Sequence, residues 1–221
     1  MAVKILNIEL TDQIKELFET QLSHPVNVIY FFNYNTCDTC DETSQLLDEI
    51  AALSGKISIR KYNLDADTDV ARKFNVSLAP SLVIAGVRHG EPIDYGIRFS
   101  GIPSGYEFGS LIQAILLVSG GDSGLQPTTR SQLKELNNPV YIRIFVTPTW
   151  PYCPRAVVLA HRLAMESPLI QAEMVEANEF YDLAMRYNVS GVPQTNINDG
   201  AGIVLGAVPE EYLLQEVKRV Q

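Results

Sequence analysis

Cysteine is scarce in this chain, with three in 221 residues. That is too few, and an odd number, for a disulfide-stapled secreted scaffold. Histidine is equally sparse: His24, His89 and His161 supply no local metal-binding pair, so each reads as a surface or capping residue and no metal site is expected. No apolar run approaches the roughly 20 residues needed to span a bilayer, which excludes a helical membrane span. The opening M-A-V-K-I-L-N-I-E-L brings acids soon after a short apolar stretch and shows no cleavage site after a long apolar core. A soluble, cytoplasmic protein without a secretory leader is therefore expected. Basic residues are outnumbered, giving a formal net charge of -9. With no basic stripe to displace phosphate counterions, nucleic acid is not an expected partner.

What is present is a repeat. Cys37 and Cys40 form C-D-T-C, and 113 residues later Trp150 and Cys153 form W-P-Y-C in matching surroundings. Pro80 and Pro193 follow at the same spacing within each copy. The decapeptides that end on them, A-R-K-F-N-V-S-L-A-P and A-M-R-Y-N-V-S-G-V-P, share Ala, Asn, Val, Ser and Pro at corresponding positions. A duplicated domain explains this, one copy keeping a dithiol and the other losing it. The length suits two units of about 100 residues, each with its own core. The expected boundaries are 1–119, a small and flexible linker over 120–127 that contains Gly120, Gly121 and Gly124, and 128–221.

The periodicity predicts an α/β fold of two tandem units, each a mixed central β-sheet flanked by helices. In the first, a helix over 11–22 precedes the apolar run V-N-V-I-Y-F-F, a strand buried on both faces. It leads into C-D-T-C and a helix ending near Gly55. A strand over 57–64, a short helix over 68–74, strands at 81–85 and 96–99 and a helix over 105–118 complete the unit. The second unit restarts with a helix at 128–136, a strand at 140–146 and a helix at 154–165. Strands near 173–177, 194–197 and 203–206 and a helix over 209–220 follow. The strand Q-T-N-I-N is unusually polar, which predicts a second face that is exposed or engaged in a contact.

Two thiols separated by two residues at a strand-to-helix junction have a direct chemical logic. The first sulfur meets the unpaired amides and partial positive charge of the helix N-terminus, which favour thiolate. The second lies one turn on, within reach of a mixed disulfide. Cys37 is thus the candidate nucleophile and Cys40 the resolving thiol; a structural pair and a zinc site are the competing readings. Pro80 with Ala79 is the candidate substrate-binding position, since a proline before the third strand can turn its preceding backbone toward an extended substrate, and Pro193 with Val192 is read as keeping that loop shape without catalysis. Asp38, Asp41 and Glu42 crowd the first motif. One acid about 6 Å from a sulfur opposes thiolate by ~0.7 kcal/mol in water-like dielectric. A moderately acidified Cys37 and a reducing couple are expected. Lys61 reads as a strand-edge lysine, with assistance to proton transfer the alternative.

These residues resemble the thioredoxin superfamily, and K-Y-N-L-D at 61–65 is similar to its lysine-containing strand. The tandem layout looks most like the glutaredoxin-like protein disulfide oxidoreductases, and F-V-T-P-T-W-P-Y-C-P is similar to that family's second active site with Trp150 in place of the nucleophile. The resemblance implies dithiol-disulfide exchange at both units; the expected cycle acts on disulfide-containing protein substrates, needs no bound cofactor, and takes electrons from a thioredoxin-reductase-like protein or a small thiol. A lone Cys153 closes no disulfide within its motif, so the degenerate site of Trp150, Cys153, Val192 and Pro193 is expected to lack dithiol activity. Trp150 reads as a contact surface, as packing with a paired indole N–H, or as a changed position. Client docking by the second unit, and metal or iron–sulfur binding of glutaredoxin type, are alternative functions. The flavoprotein component of alkyl hydroperoxide reductase is an analogy for electron relay, although there the retained motif lies in the second fold.

Overall fold

The computed structural model describes residues 4–221. Met1 to Val3, part of the opening stretch on which the expectation about a leader rests, lie outside the described residues. The first half contains α1 (Ile8–Gln21), β1 (Val26–Phe32), α2 (Cys40–Ala51), β2 (Ile57–Asn63), α3 (Thr68–Lys73), β3 (Ser81–Arg88), β4 (Glu91–Ser100) and α4 (Glu107–Gly120). The second contains α5 (Pro127–Leu133), β5 (Val140–Val146), α6 (Cys153–Glu166), β6 (Ile170–Glu176), α7 (Tyr181–Arg186), β7 (Gln194–Ile197), β8 (Gly202–Leu205) and α8 (Glu210–Arg219).

Among the described residues, eight strands form one mixed sheet in the order β2-β1-β3-β4-β6-β5-β7-β8. Within each half the pairing is the same: the first strand is parallel to the second and antiparallel to the third, which is antiparallel to the fourth. The halves join where β4 runs parallel to β6, from Ile97 opposite Ala172 to Ser100 opposite Val175. This junction needs a glycine. Gly96 has φ +77°, and a Cβ there would sit 2.4 Å from the Ile170 carbonyl oxygen.

Successive strand side chains point to opposite faces, which divides the core. Val28 and Tyr30 of β1 face a large cluster that runs unbroken across both halves, with Phe18, Leu47, Phe99, Leu111, Ile144 and Val157. Ile29 and Phe31 face the other side, where they pack with Phe74 beside α3. Phe145 and Val175 meet Ala184 of α7 in the equivalent place.

Two features, α7 and His161, depart from the sequence reading, and a third, β7, takes one of the two outcomes that it predicts. The helix α7 is absent from the elements that the periodicity predicts, although it lies 113 residues beyond α3. The polar strand β7 has no exposed face: all four of its residues are buried. Gln194 Nε2 donates to the Tyr187 carbonyl at 3.1 Å, so the second face is engaged rather than open. His161 is buried rather than capping or at the surface, stacked edge-on against Phe99 with ring centroids 4.9 Å apart. It bridges to the Arg98 carbonyl through Nε2 at 3.2 Å. Burial without a second partner pushes its pKa down to about 3.

The glycine-bearing connection is anchored. Ser123 Oγ donates to Glu166 at 2.5 Å, Arg162 Nε donates to the Ser123 carbonyl at 2.6 Å, and Leu125 is buried.

Candidate active site

The loop between β1 and α2 is held by side chains before the dithiol is reached. Asn33 Nδ2 donates to Asp65 at 2.8 Å while its Oδ1 accepts from the Asn35 amide at 3.1 Å. These bonds deliver Cys37 half-exposed and Cys40 buried as the first residue of α2. The two are joined in a disulfide, with their Cα atoms 5.5 Å apart. Beneath them the Tyr30 hydroxyl donates to the Cys40 carbonyl at 2.7 Å. Burial raises the Tyr30 phenol above its ordinary range, so it stays protonated and a donor.

Ala79–Pro80 is a cis peptide, as is Val192–Pro193. In both places the proline carbonyl accepts from a glycine amide, Gly101 at 2.9 Å and Gly206 at 2.8 Å. Pro80 and Ala79 face Cys37 and Thr39 across a cleft of about 120 Å³ whose wall is completed by Glu179 and Phe180. Glu179 belongs to the second half of the chain. Its Oε2 accepts from Thr39 Oγ1 at 2.5 Å and its Oε1 from the Ile102 amide at 2.6 Å. Burial, the largest influence, raises its pKa, against the two hydrogen bonds. No spacing in the sequence singles out Glu179, because it meets Thr39 only through the β4–β6 junction.

Lys61 lies elsewhere. Its ammonium pairs with Asp48 at 2.7 Å and donates to Ser44 at 2.8 Å, in the manner of an edge lysine. Among the described residues, no group of three or more His, Cys, Asp or Glu side chains is arranged to hold a metal ion.

At the second motif Cys153 is a free, fully buried thiol. Burial pushes its pKa up to about 11, and Glu107 adds to the rise, against a hydrogen bond from the Thr147 backbone. Glu107 is itself 1% exposed, with Oε2 accepting from Ser110 Oγ at 2.5 Å and Oε1 unpartnered. Burial lifts its pKa to about 7. Trp150 is 48% exposed and lies 6.1 Å, centroid to centroid, from exposed Tyr152. Its ring therefore stands at the surface rather than in the core. Val192 is partly buried and Pro193 buried. The loop before Cys153 is held by the first half, since the Tyr106 amide donates to the Pro148 carbonyl at 2.9 Å.

A thioredoxin-domain family profile matches residues 140–218. The crystal structure of a protein disulfide oxidoreductase from Aeropyrum pernix K1 superposes with a TM-score of 0.87 at 32% identity, covering 98% of this chain and 94% of that one. The NTD_N/C domain of the alkyl hydroperoxide reductase AhpF from Enterococcus faecalis gives a TM-score of 0.86 at 26% identity, covering 96% and 99%. In sequence, the AhpF protein of Staphylococcus epidermidis is 30% identical over 98% of this chain. This chain spans 38% of that relative's length.

Proposed function

Because the chain belongs to the thioredoxin-fold disulfide oxidoreductases, we propose that its reaction is dithiol–disulfide exchange at Cys37 and Cys40. The Cys37 thiolate attacks one sulfur of a client disulfide, forming a mixed disulfide and expelling the client's other sulfur as thiolate. Cys40 then loses its proton and attacks the Cys37 sulfur, releasing the second client sulfur and closing the Cys37–Cys40 bond. Two electrons pass to the client. A thioredoxin-reductase-like dithiol protein or a small thiol returns them, and the cycle uses no resident cofactor.

The observation that carries this reading is the unequal exposure of a bonded pair: Cys37 reaches a cleft shared with Ala79 and Pro80, while Cys40 is buried behind it. An extended client laid along Ala79 and Pro80 meets Cys37 first. Asp38, Asp41 and Glu42 favour a reducing couple by opposing thiolate. Trapping tests the assignment. Cys40→Ser accumulates a mixed disulfide with a model disulfide peptide at Cys37, and Cys37→Ser does not; a mixed disulfide at Cys40 instead would reverse the two roles.

In this reading residues 1–119 and 128–221 are tandem units joined through 120–127, and the second lacks dithiol activity. The buried, weakly acidic Cys153 thiol supports that division of labour. The half-exposed Trp150, with Tyr152 beside it, favours a second role in holding clients by an aromatic surface. Likeness to the AhpF proteins supports a place in a thiol electron-transfer chain, in the cytoplasm.

A further inference from the structure

The second half of the chain supplies a carboxylate to the dithiol of the first. Glu179 lies on the loop after β6, and that loop is folded by its own side chains: the Glu179 amide and Asn178 Nδ2 donate to the two carboxylate oxygens of Glu176, at 2.6 and 2.8 Å. The carboxylate of Glu179 then crosses to the first half, where both of its oxygens are taken by donors, Thr39 Oγ1 at 2.5 Å and the Ile102 amide at 2.6 Å. The backbone is cleared for this crossing. Gly101 has φ +94°, and a Cβ there would meet Glu176 Cβ at 2.5 Å and Glu179 Oε1 at 2.9 Å. Thr39 is one of the two residues between the sulfurs, and Cys37 and Glu179 line the same small cleft.

We propose that Glu179 is a positioning residue of the Cys37–Cys40 site, holding Thr39 in place and setting, from the second half of the chain, the ionisation of the Cys37 thiol. The inference rests on the exchange reaction assigned to Cys37 and Cys40. Its chemical content is electrostatic. The disulfide carries no charge, whereas reduction creates a sulfur that can ionise beside an existing carboxylate. A unit charge about 6 Å away in a water-like medium lowers the thiolate fraction about threefold, and more where water is excluded. The Ile102 amide meanwhile anchors that carboxylate where the Thr39 hydroxyl meets it, so the charge is held beside the motif rather than left to a flexible surface acid. The other charged groups facing the crossing add to the same sign: Asp38 in the cleft, Asp41 and Glu42 in the first turn of α2, and Glu176 at the end of β6. Burial raises the Glu179 pKa, so its charge and its effect on Cys37 fade as pH falls. A half that has lost its own dithiol thereby still acts in the chemistry of the other.

The test is the ultraviolet thiolate absorbance of the reduced, full-length protein followed across pH, together with its equilibrium against glutathione above the thiol's titration range. In Glu179→Gln, whose amide oxygen can still accept from the Ile102 amide, the Cys37 thiolate fraction below its midpoint rises about threefold. The glutathione equilibrium at alkaline pH moves toward the dithiol by the same factor. Thr39→Val keeps the carboxylate and drops the hydroxyl, and its thiolate fraction stays at or below that of the unsubstituted protein. A Gln variant that folds and titrates like the unsubstituted protein overturns the role of Glu179. So does a Thr39→Val thiolate fraction that rises as the Gln variant's is expected to, because loosening of the loop would then explain both. If Glu179→Gln fails to fold, the Thr39→Val titration alone decides in the same sense. Should the unsubstituted protein show no paired transition of Cys37 and Cys40 at all, the exchange reading itself fails, a result distinct from either outcome for Glu179.

Discussion

The Tyr30 hydroxyl donates to the Cys40 carbonyl across 2.7 Å, so the strand that precedes the dithiol also fixes the first residue of the helix that follows it. The run that carries Tyr30, V-I-Y-F-F, holds no acid. A phenol held protonated by burial can support the backbone but cannot act as a base at neutral pH.

Tyr30→Phe removes that hydroxyl and little else. The ring is fully buried, so the substitution is expected to destabilise the fold by roughly 1–2 kcal/mol, the net effect of a buried hydrogen bond. Urea unfolding measures it. A midpoint equal to that of the unsubstituted protein would mean that the bond contributes nothing.

The junction between the halves gives a sharper contrast. Gly96→Ala must place a Cβ 2.4 Å from the Ile170 carbonyl at a positive φ and is expected to destabilise by at least about 2 kcal/mol. Gly109→Ala on α4 meets nothing within 4 Å and is expected to stabilise by roughly 0.5–1 kcal/mol, as alanine is the better helix former. Thermal melts of the pair should move in opposite directions.

Much of this architecture is legible along the chain, because strands such as V-N-V-I-Y-F-F and the C-D-T-C that follows carry their signal locally. The repeat carries more than the periodicity does: its offset maps α3, which the sequence reading contains, residue for residue onto α7, which it omits. What stays hidden depends on the β4–β6 junction. Glu179 lies far from Thr39 in sequence, and no pattern announces their meeting. His161 has the residue type of a surface position yet faces Phe99 across that junction. The polarity of β7 leaves an exposed and a contacting face equally open for a related reason: Gln194 Nε2 donates to the Tyr187 carbonyl, a partner contributed by the end of α7.

Stability should depend on pH through two buried groups of opposite sense. The folded pKa of Glu107 is raised from 4.5 to about 7. The unfolded chain therefore binds fewer protons over that window, and the stability this group contributes is full below about pH 4.5 and lost as pH rises through 7. The folded pKa of His161 is lowered from 6.5 to about 3, so its contribution is full above about pH 6.5 and lost as pH falls toward 3. Glu107→Gln should thus gain about 3 kcal/mol over the unsubstituted protein near pH 8 and almost nothing near pH 4.5. An equal gain at both values would show that folding does not shift the Glu107 pKa.

The second motif yields a separation of roles. Cys153→Ser is expected to leave turnover of a small disulfide unchanged while destabilising the fold by roughly 1–3 kcal/mol, the penalty for burying a hydroxyl without a full set of partners. Trp150→Ala, at a half-exposed ring, should raise KM for a protein disulfide while leaving kcat/KM for a small one unchanged. Equal effects on both substrates would contradict a docking role.

The most direct test is a thiol count by mass spectrometry across a series of defined thiol–disulfide buffers, repeated on Cys37→Ser. Two thiols are expected to titrate together with a midpoint well below the roughly -120 mV of strong oxidants, the third should stay constant, and the transition should vanish in the variant. A count with no paired transition, or a pair that includes Cys153, would contradict exchange at Cys37 and Cys40.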